Sequence, residues 1–166
     1  MRGIYSALAI AILAAGAGHA AKAASTAALQ LRPVAQGTHS SINARRQTVV
    51  RTAAEWNKLW AEHSALSSDK TPPTVDFGKE MVLAVFLGTR TSGGYSVKIT
   101  DARVVGKKLV VSAQETAPGP NQIRSHVITT PFAMVAVKSS KLPVEWKVTG
   151  GDAGGAPQPP QDPTLR

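Results

Sequence analysis

Two adjoining hydrophobic patterns constrain what this chain can fold into. Met81-Val82-Leu83-Ala84-Val85-Phe86-Leu87 is apolar without a break, the pattern of a strand buried on both faces. Shortly after it, Tyr95, Val97 and Ile99 alternate with Ser96, Lys98 and Thr100, so that strand buries one face and wets the other. Between the two lies Gly88-Thr89-Arg90-Thr91-Ser92-Gly93-Gly94. This connection is polar, too long for a minimal hairpin, and rich in residues that tolerate positive φ.

The rest of the chain supplies one helix and further strands. Thr52 is placed as an N-cap with Glu55 three residues on, the capping-box spacing that satisfies two otherwise orphaned N–H groups. Trp56, Leu59, Trp60 and His63 follow at i, i+3, i+4 and i+7, a single apolar stripe read as core packing. Thr71-Pro72-Pro73 stops any helix and extends the backbone. Strands are expected over Ile42–Arg51, Tyr95–Val105, Leu109–Thr116, Ile123–Thr130, Ala133–Lys138 and Val144–Val148, in addition to the apolar run. Gly106-Lys107-Lys108 joins two of them as a tight hairpin. The expected class is α+β: a mostly antiparallel sheet of about six to seven strands, with one helix packed on a face. A half-barrel is the alternative closure. Antiparallel order is expected throughout, because only the helical segment is long enough for a crossover.

The ends differ in composition from this body. Met1-Arg2 is followed by an apolar, Ala-rich run to Ala17 and by small residues up to Ala20 and Ala23. Residues 1–23 therefore read as a signal peptide, cleaved after Ala20 or Ala23, with an uncleaved anchor as the alternative. Residues 24–36 read as a linker, residues 37–148 as the folded domain, and residues 149–166, dominated by Gly and Pro, as a disordered tail. This places the mature protein in the periplasm or outside the cell, with no stable membrane insertion after cleavage. The chain has no cysteine, so an exported domain must hold by packing without disulfides. Formal charge is +9; cleavage after Ala23 would remove Arg2 and Lys22 and leave 17 basic against 10 acidic residues, or +7. The basic residues are scattered, without the aromatic platform that single-stranded nucleic acid uses. A solubilising surface is the plain interpretation, attraction to an anionic envelope surface the functional one, and nucleic acid is excluded by export.

No catalytic constellation stands out. There is no thiol nucleophile, no Gly-x-Ser-x-Gly elbow and no His-Glu-x-x-His pair. His39, His63 and His126 are far apart in sequence, and the carboxylates of Asp76, Glu80, Asp101 and Glu115 have no paired spacing. The connection before Tyr95 lacks the Gly-Lys-Ser/Thr ending of a phosphate loop. The chain is expected not to be an enzyme and to need no cofactor or metal.

The candidate binding residues are Thr89, Arg90, Thr91, Ser92, Gly93, Gly94 and Tyr95. The glycines can present backbone groups outward, the hydroxyls add donors and acceptors, Arg90 adds a planar fork suited to a carboxylate, and Tyr95 adds an amphipathic contact. The structural alternative is that the glycines only turn the chain and Tyr95 packs. Val75-Asp76-Phe77, Val85-Phe86-Leu87-Gly88, Thr91-Ser92-Gly93-Gly94-Tyr95 and Thr130-Pro131-Phe132 together resemble the C-terminal domain of the PrcB family over about Gly37 to Trp146. That family is named for a subunit of a secreted bacterial protease complex. The resemblance implies an exported, non-catalytic accessory domain that helps stabilise or assemble a protein partner, in the namesake case a protease. It offers no catalytic residues to carry over. Two other functions compete: a protease inhibitor using the Thr89–Tyr95 loop, and a cell-envelope polyanion binder.

Overall fold

The computed structural model describes residues 27–119 and 126–151. The signal-peptide expectation, nearly all of the expected tail and the start of the expected 123–130 strand lie outside the described residues. The described elements are β1 (Ala27–Ala28), β2 (Arg32–Gly37), β3 (Arg46–Val50), α1 (Ala53–His63), β4 (Glu80–Phe86), β5 (Ser96–Val105), β6 (Lys108–Thr116), β7 (Phe132–Lys138) and β8 (Val144–Gly150).

The class is α+β with mostly antiparallel strands and one helix, but the strands form two four-stranded sheets rather than one sheet of six or seven or a half-barrel. Their orders are β2-β7-β4-β3 and β1-β5-β6-β8. The physical reason lies in burial. In β4, Met81, Leu83 and Val85 join β7 in packing against Val97, Ile99, Leu109, Val111 and Ala113 of the other sheet. Val82, Ala84 and Phe86, on the opposite face of β4, pack with Trp56 and Leu59 of α1. The first sheet is thus a middle layer, covered by the helix on one side and by the second sheet on the other. This is why β4 is apolar from Met81 to Phe86, whereas β5 and β6 alternate: their outer face meets solvent.

Helix α1 begins as the sequence requires. Thr52 Oγ1 accepts from the Glu55 N–H at 3.2 Å, while the Glu55 carboxylate accepts from the backbone N–H groups of Arg51 and Thr52 at 2.9 and 3.2 Å. Trp56, Leu59 and His63 are buried, and Trp60 is half-buried. The Val75-Asp76-Phe77 motif then turns the chain into β4. The Asp76 carbonyl accepts from the Lys79 and Glu80 N–H groups, its carboxylate accepts from Gly78, and Val75 and Phe77 pack on the helix-side core.

Three further expectations are corrected. Residues read as a linker form β1 and β2: β2 is an edge strand of the middle sheet, where Pro33 is tolerated because one side of the strand needs no partner. Strand β8 runs parallel to β6, so the order is not antiparallel throughout. Between β6 and β8 in the sequence comes β7, a strand of the middle sheet, so a strand of another layer lies within the crossover. Residues 126–128 carry no regular structure, and Thr129 makes only an isolated bridge to Arg90. Phe132 lies in the core, stacked on Phe86 with ring centroids 6.2 Å apart. It opens β7, an inner strand of the middle sheet.

Candidate functional site

The connection from Gly88 to Tyr95 carries the chain from β4 in the middle sheet to β5 in the outer sheet. Its length therefore has a structural cause: it joins two layers, not two neighbours of one hairpin. It is seated at both ends. Gly88 has φ 73°, and a Cβ there would come within 2.7 Å of the Asn43 carbonyl oxygen. The Thr89 N–H donates to that same carbonyl at 2.9 Å, so the missing side chain is what lets the two backbones meet. At the other end Gly94 has φ 89°, and a Cβ would lie 2.9 Å from Pro118 Cβ.

The middle of the segment is held by the chain before β7. The Arg90 N–H donates to the Thr129 carbonyl at 2.7 Å, and the Thr129 N–H returns to the Arg90 carbonyl at 2.9 Å. Thr129 Oγ1, buried, donates to the Ser92 carbonyl at 3.1 Å. Of the residues singled out in the sequence, Thr89, Thr91 and Gly94 are exposed, Arg90, Gly93 and Tyr95 are half-buried, and Ser92 is buried. The Arg90 guanidinium carbon sits 5.5 Å from the centroid of the Tyr95 ring, within cation–π range. The structure thus brings Arg90 and Tyr95 together and turns Ser92 inward.

Sequence reasoning missed two things here. Val127 and Ile128, read as strand residues, stand 49% and 70% exposed. A β-branched pair next to a bridge carries no mark in the sequence that separates it from a buried strand. The second is a cleft of about 380 Å³ lined by His39, Ser40, Trp60, His63, Leu66 and Asp69 among others. Two of the dispersed histidines meet there. The His63 ring lies edge-on to Phe132, with centroids 4.3 Å apart, and burial pushes its pKa below the usual imidazole value.

Ser40 Oγ lies 2.9 Å from His63 Nδ1, the spacing of a hydroxyl and its base. The surrounding donors are committed elsewhere, however. The Ile42 N–H donates to Ser40 Oγ at 3.1 Å, the Ser40 N–H to Thr130 Oγ1 at 2.6 Å, and the Ser41 N–H to the His63 carbonyl at 2.9 Å. With these N–H groups occupied, none of them is left to stabilise an oxyanion, and the pair works as a clamp between the 38–42 turn and the end of α1. Among the described residues no group of three or more His, Asp or Glu gathers to hold a metal ion. No described helix is long and apolar enough to cross a membrane.

The fold and this site define an α+β domain whose middle sheet lies between a helix and a second sheet, with a seated polar connection at the layer crossing. Residues 81–138, from β4 through β7, match the family model described as PrcB C-terminal. The match takes in the whole Gly88–Tyr95 connection and the Thr129 bridge that holds it. No curated protein and no solved structure matches the chain.

Proposed function

We propose that this protein is an exported, non-catalytic accessory domain that binds a protein partner through the Thr89–Tyr95 segment and its surroundings. The observation that carries this reading is the pairing of Arg90 with the Tyr95 ring on a segment fixed by backbone hydrogen bonds to Asn43 and Thr129. Arg and Tyr are the residue types enriched among interface hot spots, and a segment already fixed by its neighbours loses little further freedom on binding. The family match supports an accessory role. A protease is the partner that the family's namesake suggests. Export rests on the Arg2 start, the apolar run to Ala17 and the small residues to Ala23. The backbone hydrogen bonds that tie the segment to Asn43 and Thr129 favour a surface contact over insertion into a protease cleft.

The test is cross-linking in the native envelope, followed by partner identification, with wild type, Arg90→Ala and Tyr95→Ala chains first checked for folding. The expected result is one dominant protein partner whose capture falls sharply in both variants, by a mature chain whose intact mass begins after Ala20 or Ala23. Undiminished capture by both folded variants would move the interface to an open sheet edge, β3 or β8.

A further inference from the structure

We infer that His63 is a positioning residue for the Thr89–Tyr95 segment, and that charging its ring loosens the segment and weakens what the segment binds. The consequence for binding rests on the protein-binding reading above; the effect on the segment does not. Two hydrogen-bonded paths run from His63 to the segment. In the first, His63 Nδ1 lies 2.9 Å from Ser40 Oγ. Ser40 grips Thr130 Oγ1 with both its backbone groups: its N–H donates to that oxygen at 2.6 Å, and its carbonyl accepts from it at 2.7 Å. The preceding residue, Thr129, holds the segment at Arg90 and Ser92. In the second, the His63 carbonyl accepts from the Ser41 N–H at 2.9 Å, and the Ile42 N–H donates to Ser40 Oγ at 3.1 Å. Asn43 comes next in the chain, and its carbonyl accepts from the Thr89 N–H at 2.9 Å. Both holders of the segment therefore adjoin residues tied to His63.

The site of the ring suits only its neutral form. His63 is 8% exposed and sits among the rings of Trp60, Phe86 and Phe132. On α1, the neighbouring Glu62 is paired with Arg46. Arg46 opens β3 and lies over the Phe86 ring, 5.5 Å from its centroid. From β4 and β7 the ring meets Phe86 and Phe132, which carry no charge. The 38–42 turn contributes His39 and the chain after α1 contributes Asp69, and both line the cleft that His63 also lines. Ser40 Oγ accepts from the Ile42 N–H, which leaves its own proton for Nδ1 of the neutral ring. Charging puts a proton on that nitrogen too, so the hydroxyl must turn. The buried charge then gains by moving toward the cleft, where water and Asp69 lie. Ser40 is the first residue that this movement releases, and Thr130 the next. Burial places the change below the usual imidazole value, so the segment is held at neutral pH and loosened as pH falls.

The test is NMR on the full chain, titrated from about pH 7.5 to about pH 5. The His63 ring is followed together with the amides of Thr89, Arg90, Ser92 and Thr130. Those amides are expected to move with the midpoint of the His63 ring. They should stay still in His63→Gln and move as in the wild type in His39→Gln, which removes the other imidazole of the cleft. Thr130→Val keeps the ring and cuts the first path; its ring should still titrate while the response of Arg90 and Ser92 falls. Cross-linked capture of a partner should drop with pH in the wild type and not in His63→Gln. Segment amides that stay still while the ring titrates would overturn the inference. So would amides that follow the His39 midpoint, or a response undiminished in Thr130→Val, and neither result depends on the folding of His63→Gln. Amides that titrate with His63 while no partner is captured would uphold this inference and sink the protein-binding reading. Capture through Arg90 and Tyr95 that is equal at both ends of the titration, with still amides, would do the reverse.

Discussion

His63 is the residue where position and titration meet. It closes the last turn of α1, and its ring is surrounded by Trp60, Phe86 and Phe132 at centroid distances of 5.0, 6.1 and 4.3 Å. Burial disfavours the imidazolium and lowers the pKa, so the unfolded chain takes up a proton first as pH falls from about 6.5. The His63 contribution is therefore complete above the unfolded value and is lost progressively between about 6.5 and the lower folded value. The carboxylates of Glu55, Glu80 and Glu145 are shifted down by hydrogen bonds from the Arg51 backbone, Arg32 and Lys108. Their contributions are present above the unfolded carboxylate value, about 4.3, and fade only below it, so the two windows separate. Urea midpoints at about pH 7.5 and about pH 5.5 should show the wild type weaker at the lower pH. His63→Gln, which keeps a polar partner for Ser40, should lose stability at both and show less difference between them. An equal pH difference in both chains would remove His63 as its source.

Helix α1 and strand β4 show what a single element's sequence discloses. The Thr52–Glu55 box and the stripe from Trp56 to His63 were readable because both are local: caps and faces are set by spacing along one helix. Depth was not readable. Trp56 is 3% exposed and donates its indole N–H to the Pro73 carbonyl at 3.0 Å, a partner that arrives from a distant loop; Trp60 lies at the margin. Trp56→Ala should therefore lose about 3–5 kcal/mol, the range for emptying a large aromatic site, and Trp60→Ala distinctly less, both measured by urea unfolding. The reverse order would mean that the helix is rotated on the sheet. Strand β2 stayed hidden for a different reason. As an edge strand in Arg32-Pro33-Val34-Ala35-Gln36-Gly37 it has little inward bulk, so neither an apolar run nor an alternation marks it. The Thr89–Tyr95 site was legible as a polar interruption between two strands. That it spans two layers, and that Thr129 bridges it, depend on contacts remote in sequence.

At the scale of the molecule, the two burial patterns stated which strands were wrapped and which were half-wet, but not that these belonged to separate sheets. One apolar run covered on both faces is compatible with a helix on one side and either a helix or a sheet on the other. The return of β8 parallel to β6 follows from the layer change and has no local signature. The layers are joined by a side-chain link that the register foretold only in half. Glu115 follows Leu109, Val111 and Ala113 on the inward face of β6 and is itself 7% exposed. An inward carboxylate needs a partner, and it finds Arg45, just before β3 of the middle sheet, in a two-bond pair. The side chains are 31% exposed for Arg45 and 6% for Glu115, so removing Arg45 would leave a buried charge unmatched. Arg45→Ala should lose about 3 kcal/mol, as breaking a buried pair does, whereas Arg45→Met with Glu115→Leu should recover most of that loss. Lys108→Ala, which breaks the exposed pair with Glu145, should change stability by less than about 1 kcal/mol. These are unfolding free energies from urea titration at neutral pH. Equal small losses for Arg45→Ala and Lys108→Ala would mean that water reaches Glu115 and that the sheets are held by apolar packing alone.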